Sequence, residues 1–156
     1  MHEASDFNKI FVNATRQRCE LLSPQGAILA SYPVSTSRFG LGTEAGSFRT
    51  PTGNFLISEK IGDGEPAGMI LKGRVATGML AQPGGEEDHI LSRILWLKGL
   101  DPENSNTHER YIYFHGTNQE ELIGLPASHG CIRLRNLEMI DLYERVCVGD
   151  SVKITL

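Results

Sequence analysis

Short apolar stretches separated by turn residues dominate the chain. After the turn TPTG, Phe55 and Ile57 alternate with the residues between them, the pattern of a strand with one buried face. Similar runs predict strands over residues 9–14, 18–23, 27–35, 54–60, 69–73, 74–80, 110–115 and 151–156. Strands this short, with turn signals this frequent, are typical of a β-sandwich or barrel.

Two segments have the spacing of helices instead. Residues 86–97 carry acidic residues in their first turn and apolar residues at 90, 91, 94, 95 and 97. Residues 136–149 start at Asn136, a residue type that caps helices, and end at Gly149, with an apolar stripe at 137, 140, 143 and 146–147. The sequence therefore predicts a mostly β, β-sandwich-like fold with one or two short peripheral helices, in a single domain over residues 1–156.

Composition and charge narrow the classes of function. A formal net charge of −4 argues against nucleic acid or an anionic membrane surface as the main partner, because both require a basic surface. The first 18 residues include acidic residues and no apolar run of seven, so they predict neither a secretory signal nor a membrane anchor. Taken as the native start, they predict a cytoplasmic protein. A chain trimmed of its signal would belong in the periplasm or cell envelope.

The three cysteines differ in setting. They are widely spaced and form no C-x-x-C pair, which argues against a zinc ribbon or a thioredoxin-type redox site. We expect Cys19 and Cys147 to be small apolar residues in a strand and a helix. Cys131 lies in PASHGCIRL (126–134), where histidine, glycine and arginine surround it. Cys131 is therefore the candidate nucleophile.

A thiol reacts as its thiolate, so Cys131 needs an imidazole or another positive field to lower its pKa. His129 lies two residues before it and would point the same way if the segment is extended. His115 ends the apolar run YIYF, where a neighbouring strand could deliver it. His115, Gly116 and Thr117 also lie at a strand-to-loop boundary, a frequent location of catalytic groups. The residues alone leave the choice of histidine open.

Other residues near Cys131 have chemical uses. Gly130 permits unusual backbone angles and leaves N–H groups free to face a developing oxyanion. Arg133 would share the face of Cys131 in a strand and could hold a substrate carboxylate by two hydrogen bonds. Ser128 could orient a histidine or cap the turn. No metal or cofactor is expected, since no metal-ligand spacing is formed by His2, His89 and His108.

The order of these residues separates families of cysteine enzymes. Papain-type peptidases place the cysteine before the histidine, the reverse of this chain. Sortases share the order His, Cys, Arg, but they require export or an anchor and carry a Thr-rich approach to the cysteine. The stretches GSFRTPTGNFLI (46–57) and 92–136, which includes YFHGTNQEELIGLPASHGCIRLRN, instead resemble the L,D-transpeptidase catalytic domain (YkuD-type) family. The similarity extends over residues 9–156.

The resemblance implies the L,D-transpeptidase catalytic fold and a cysteine-dependent acyl transfer. The bond cleaved joins the L-diamino acid to D-Ala in peptidoglycan stem tetrapeptides. By position in the motif, Cys131 is the nucleophile, His115 is the general base and acid, and the backbone N–H groups of Gly130 and Cys131 are oxyanion donors. The residues implied to shape the site are Ser128, His129 and Gly130. Those expected to bind substrate are Arg133, Gly116 and Thr117.

Three functions follow from this resemblance. Without a signal, we expect a cytosolic L,D-carboxypeptidase that trims tetrapeptide to tripeptide during murein recycling. The alternatives are an envelope L,D-transpeptidase, which forms 3-3 cross-links or exchanges D-amino acids, and a catalytically silent peptide-binding module. Expected partners are stem peptides or muropeptides, with carbapenem-type β-lactams as inhibitors. We expect the loops 36–53 and 81–89 to build the pocket, and an activated Cys131 to react below the usual thiol pKa of about 8.5.

Overall fold

A computed structural model describes residues 7–156, so His2 lies outside the described residues. The strands are β1 (Lys9–Asn13), β2 (Arg18–Leu22), β3 (Ile28–Pro33), β4 (Gly53–Ile61), β5 (Met69–Lys72), β6 (Val75–Leu80), β7 (Leu91–Gly99), β8 (Tyr113–Gly116), β9 (Ile132–Leu134) and β10 (Ser151–Thr155). The α-helix is α1 (Asn136–Arg145), and short 3-10 turns cover Pro102–Asn104 and Glu120–Leu122. This arrangement confirms a mostly β fold with one peripheral helix.

The strands form one curled sheet in the order β3-β2-β1-β10-β4-β7-β5-β6, and β8 and β9 extend it beside β7. Two pairs are parallel, β1 with β10 and β8 with β9, and the other pairs are antiparallel. Strand β7 pairs with β4, β5 and β8 and is therefore the hub of the sheet. Through β8 it places the short parallel pair β8–β9 against the centre of the fold.

Two apolar clusters lie on opposite faces of β7 and β8. The larger includes Leu95, Leu97 and Phe114, and helix α1 adds Met139 and Leu142 to it. The smaller contains Met69, Leu71, Ile94, Trp96 and Tyr113, and Cys131 packs at its edge. Side chains alternate between the two faces of a strand, so both sides of this part of the sheet are covered.

The predicted helix over 86–97 is wrong, because most of this segment is strand β7. The first seven residues of β7 are buried, with Leu95 and Leu97 in the larger cluster and Ile94 and Trp96 in the smaller. A strand buried on both faces gives a nearly continuous apolar run, which periodicity cannot separate from a buried helix. Ser92, at φ 71°, and a register shift between Leu91 and Ile94 interrupt the alternation further.

Helix α1 confirms the second predicted helix but not its details. Arg135 is the N-cap and Asn136 the first helical residue, and the helix ends at Arg145, well before Gly149. The expected apolar stripe is right only in part: Tyr143 and Val146 are buried, Leu137 is exposed, and the helix also buries Met139 and Leu142. The spacing of three and four residues from Met139 to Leu142 and Tyr143 is that of one helix face.

The prediction for Cys19 is confirmed, and the prediction for Cys147 is wrong. Cys19 is fully buried in β2, and burial raises the pKa of its thiol to about 12. Cys147 lies beyond the end of α1 and is exposed. Within residues 7–156, no helix is long and apolar enough to cross a membrane.

Candidate active site

The parallel pair β8–β9 gathers the predicted site residues. His115 is in register with Arg133, and Phe114 is in register with Ile132. Phe114 and Ile132 belong to the larger core cluster, so the alternating residues Tyr113, His115 and Arg133 lie on the opposite face. Cys131 immediately precedes β9 and packs beside Tyr113 on that same face. The sheet therefore delivers His115 to the face that carries Cys131, as the sequence predicted.

A closed turn holds Cys131 in place. The Ser128 hydroxyl donates to the Cys131 carbonyl at 2.7 Å and accepts the Gly130 N–H at 3.2 Å. Thr50, from the TPTG turn, donates its hydroxyl to the Gly130 carbonyl at 2.9 Å. Gly130 adopts φ 126°, a conformation that strongly favours glycine. Ser128 thus caps the turn, one of its two predicted roles.

Two expectations about this turn are wrong. The positive φ of Gly130 bends the segment, so His129 and Cys131 do not point the same way. His129 is exposed and lies against Phe39 and Phe48, with ring centroids 5.9 Å and 6.0 Å away. The Gly130 N–H is also not free to bind an oxyanion, because it donates to Ser128.

The Cys131 thiol is partly buried and weakly hydrogen-bonded. It donates to the Tyr111 carbonyl at 3.4 Å, and its sulfur accepts the Tyr113 N–H at 3.4 Å. Burial raises the pKa of this thiol to about 11; the Tyr113 N–H lowers it, Asp88 raises it, and the arginine charges lower it. The resting thiol is therefore protonated at neutral pH. A base must remove its proton as the sulfur attacks.

His115 has the geometry of a neutral base. Its Nδ1 lies 2.6 Å from the Gly116 carbonyl oxygen, which only accepts hydrogen bonds, so Nδ1 carries the proton. Nε2 is then left with its lone pair. Burial lowers the pKa of His115 below its ordinary 6.5, outweighing the opposite effects of Asp88 and the Gly116 carbonyl, and Arg133 lowers it further. The imidazole is thus unprotonated at neutral pH and able to accept a proton.

Arg133 is a fully buried cation held by the protein itself. Its Nη1 lies 3.0 Å from the Asp88 carboxylate and donates to the Gln119 side-chain oxygen at 2.8 Å. Its Nη2 donates to Ser35 Oγ at 3.3 Å. Thr117 is buried as well and donates to Asp88 at 3.4 Å. Asp88 therefore connects the charge of Arg133 to the loop beside His115.

This burial contradicts the predicted substrate contacts. The side chain of Arg133 has no exposed surface, Thr117 has none either, and Gly116 is buried. All three are buried residues that support the site, and Gly116 does so because its carbonyl accepts a hydrogen bond from His115 Nδ1. Of the two loops expected to build the pocket, 36–53 contributes Gly46 and Phe48 to the cleft next to the Cys131 turn, whereas 81–89 contributes no cleft residue and supplies Asp88 to Arg133 instead.

The sequence reading missed several residues that hold the site. Asp88 was assigned to a helix, and no local pattern linked it to Arg133. Gln119 lies two residues after the His-Gly-Thr motif, and its proximity to His115 in the sequence was the available signal. Arg110 was not considered, although it precedes the strand of His115. Among the described residues, no cluster of three His, Cys, Asp or Glu side chains could hold a metal ion.

Gly116 has no room for a side chain, and we expect Gly116→Ala to destabilise the fold. An added Cβ would lie 2.3 Å from Asn136 Oδ1 and 2.9 Å from the Leu91 carbonyl oxygen. Overpacking of this kind costs about 3 kcal/mol, which corresponds to roughly 6–12 °C in Tm for a chain of this size. Thermal unfolding measures the shift. Gly42→Ala is the matched control, since its Cβ meets only the exposed side chain of Arg49; equal shifts would contradict the prediction.

We expect Asp88→Asn to destabilise the protein and to lower the pKa of the Cys131 thiol below about 11. It removes the carboxylate that pairs with buried Arg133, a loss of about 2 kcal/mol once the partial exposure of Asp88 is allowed for. It also removes a negative charge that raises the pKa of Cys131. Denaturant unfolding and the pH dependence of Cys131 alkylation measure the two effects. Glu87→Gln is the control, since Glu87 is the neighbouring residue and its side chain is exposed. An unchanged thiol pKa in Asp88→Asn would refute the charge argument.

A cysteine in a glycine turn beside a buried, neutral histidine on a β framework is the arrangement of a candidate acyl-transfer site. Comparison with known proteins agrees with this class. The family model for the L,D-transpeptidase catalytic domain (YkuD) matches residues 8–154. The chain belongs to the L,D-transpeptidase catalytic domain family.

Individual relatives carry the same family name. YqjB of Bacillus subtilis (strain 168), named as an L,D-transpeptidase, is 40% identical over 72 residues, 46% of this chain and 39% of that protein. An L,D-transpeptidase from Mycobacterium smegmatis has the same fold, with a TM-score of 0.64 and 19% identity, over 96% of this chain and 59% of that one. LdtMt1, solved in complex with imipenem, gives a TM-score of 0.61 and 19% identity, over 96% and 59%. The chain thus spans less than two thirds of each relative.

Proposed function

We propose that this domain catalyses acyl transfer from peptidoglycan stem tetrapeptides, with Cys131 as nucleophile and His115 as base and acid. The observation that carries the proposal is the β8–β9 pairing, which puts the neutral imidazole and the thiol on one face of the sheet. Membership of the L,D-transpeptidase family supports the choice of substrate.

The reaction follows from the protonation states. His115 Nε2 accepts the thiol proton while Cys131 Sγ bonds to the carbonyl carbon of residue three. The negative charge on the carbonyl oxygen is held by the Cys131 N–H, since the Gly130 N–H is engaged. Collapse breaks the C–N bond, and His115 gives its proton to the departing D-Ala amine. Water or an amine then attacks the thioester carbonyl, and His115 accepts its proton. Collapse breaks the C–S bond, and the Cys131 thiolate takes the proton back from His115.

We propose hydrolysis, and therefore L,D-carboxypeptidase activity, as the first function. A cleft next to the Ser128–Cys131 turn is lined by Gly46, Phe48, Arg110, Ile112 and His129 and holds about 130 Å³. That volume suits water or a single amino acid, whereas clefts for larger ligands hold about 300–1,000 Å³. A larger cleft, of about 400 Å³ between Phe11 and Leu100, contains none of the site residues. Once one residue of the donor peptide fills this cleft, no room is left in it for a second stem peptide, so water is favoured as the acceptor.

L,D-transpeptidation is the second candidate, supported by the names of the relatives. A mass-spectrometric time course of a disaccharide tetrapeptide, with and without excess D-Met, separates the two. Tripeptide alone indicates the carboxypeptidase, and exchange of D-Ala for D-Met, or a dimer, indicates a transpeptidase. An unchanged tetrapeptide would support the silent binding module and refute both enzymes. A cytosolic role in murein recycling is part of the first proposal, and fractionation of cells that produce the native protein tests it.

We also expect a carbapenem to acylate Cys131. Imipenem and a faropenem-derived adduct are bound in structures of two members of this fold, LdtMt1 and L,D-transpeptidase 3 from Mycobacterium tuberculosis. Attack of the thiolate on the β-lactam carbonyl forms a C–S bond and breaks the ring C–N bond, so the drug stays attached. Peptide mapping should locate the added mass on Cys131, with none on the exposed Cys147. No added mass at millimolar imipenem would contradict this expectation.

A further inference from the structure

Arg110 is a cation fixed at the edge of the candidate active site. It lies in the turn before β8, and its guanidinium donates to the Arg49 carbonyl at 2.6 Å and the Gly42 carbonyl at 3.3 Å. A longer contact of 3.5 Å reaches Ser47 Oγ. These bonds fasten the loop that carries Phe48 to the segment that carries His115.

The charge of Arg110 is not neutralised by the protein. Within residues 7–156, the arginines paired with a carboxylate are Arg133, Arg135 and Arg145, and Arg110 is not among them. Burial lowers the pKa of Arg110, yet arginine remains charged in proteins. A partly buried cation with no counter-ion is unfavourable by itself and favours an incoming anion.

Arg110 also lies near the turn that carries the candidate nucleophile. It lines the cleft of about 130 Å³ together with Phe48, Ile112 and His129. The next residue, Tyr111, accepts the Cys131 thiol hydrogen bond on its carbonyl. The positive charge of Arg110 lowers the pKa of the Cys131 thiol.

We propose that Arg110 is a substrate-binding residue that holds a carboxylate of the stem peptide next to the scissile bond. The sequence suggested this carboxylate-binding role for Arg133. We assign it to Arg110, because Arg133 is buried in an ion pair with Asp88 whereas Arg110 lines the cleft. The carboxylate belongs either to the terminal D-Ala or to the distal end of the position-three diamino acid. Phe48 and His129 form an aromatic wall for the aliphatic part of that residue. This inference rests on the proposed function for its substrate.

The first test needs only the thiol and is independent of the proposed reaction. Iodoacetate and iodoacetamide both alkylate a cysteine, with a C–S bond formed and iodide released, but only iodoacetate carries a carboxylate. A Cys147→Ala background removes the exposed competing thiol. The rate ratio of iodoacetate to iodoacetamide should fall about tenfold in Arg110→Gln, the scale of one charge-assisted hydrogen bond. In Arg110→Lys, which keeps the positive charge, the rate ratio should lie between those of the wild type and Arg110→Gln.

Arg16→Gln, an exposed arginine in the β1–β2 turn, controls for the loss of one positive charge and should leave the ratio unchanged. Thermal unfolding reports whether Arg110→Gln keeps its fold, and the charge-retaining lysine variant covers the case in which it does not. A ratio that is the same in the wild type and in both Arg110 variants would overturn the proposal.

The second test identifies the carboxylate. The kcat/KM of tetrapeptide is compared with that of two analogues, one amidated at the terminal D-Ala and one at the distal carboxyl. Amidation of the carboxylate that Arg110 holds should lower the kcat/KM of the wild type about tenfold. The same amidation should not lower the kcat/KM of Arg110→Gln any further. Equal losses on all three substrates in Arg110→Gln would overturn the proposal. If the wild type cleaves none of them, the proposed function fails, and the alkylation ratio still decides the role of Arg110.

Discussion

Cys131→Ala is expected to lower the release of D-Ala from a stem tetrapeptide by on the order of 10⁴-fold or more, the loss that follows removal of a nucleophile from a catalytic unit. No other group on this face can form the thioester: Cys19 is sealed in the core and Cys147 is exposed beyond α1. The thiol makes only two weak contacts, at 3.4 Å each, so Tm should change little. Loss of activity with retained stability is the expected combination.

Quantitative release of D-Ala, followed by mass spectrometry, measures this loss. Cys147→Ala is the matched control and should keep wild-type activity, since its thiol lies outside the site. If Cys131→Ala retained a tenth or more of the wild-type rate, the sulfur would not be the nucleophile, whatever the family of the domain.

The second large effect is expected from His115→Asn, with a loss of kcat of about 10²–10⁴-fold. Asparagine places an amide N–H near the position of Nδ1 and can keep the bond to the Gly116 carbonyl, but it has no equivalent of the basic Nε2. The buried site thus stays occupied by a polar group of similar shape while the base is removed. Tm reports the fold, and single-turnover release of D-Ala reports the chemistry.

The pH profile gives a sharper signature of His115. The reaction needs the neutral imidazole, and burial lowers the pKa of His115 below 6.5. The kcat/KM of the wild type should therefore fall to half its maximum only below pH 6.5, as His115 takes up a proton. His115→Asn should lose that acidic limb, and His129→Asn should keep it, which separates the two histidines that the sequence left in competition. If His129→Asn lost the acidic limb and His115→Asn kept it, the base would be His129, and the assignment to His115 would be wrong.

Local patterns predicted eight of the ten strands within residues 7–156 and singled out the turn that carries Cys131. Phe55 and Ile57 alternate with their neighbours because one face of β4 is buried, and both are fully buried in the structure. The motif around Cys131 was readable because its parts are sequence neighbours: Ser128 and Gly130 close a turn that needs only four residues. Short-range interactions of this kind leave a direct trace in the sequence.

The failures share a physical origin in contacts between distant segments. Strand β7 is buried on both faces, and its apolar run imitates a helix. Arg133 is paired with Asp88, a residue far away in the chain, so the sequence could not show that its charge was already taken. The same limit hid Arg110, whose importance depends on the absence of a carboxylate near it rather than on any motif.

The reactivity of Cys131 shows a third limit. The sequence indicated an activated thiol from the histidines beside it, whereas burial raises the pKa of that thiol to about 11. Desolvation is a property of the folded environment, and it outweighs the nearby positive charges. The site therefore rests as a neutral thiol and a neutral imidazole.

The most direct test of the central claim is to trap the covalent intermediate. Wild-type protein is mixed with disaccharide tetrapeptide, quenched in acid within the first turnover, digested and mapped by tandem mass spectrometry. The account predicts a disaccharide-tripeptide thioester on Cys131, formed with the release of one D-Ala and missing in Cys131→Ala. Release of D-Ala without any adduct on Cys131, or an adduct on another residue, would contradict it.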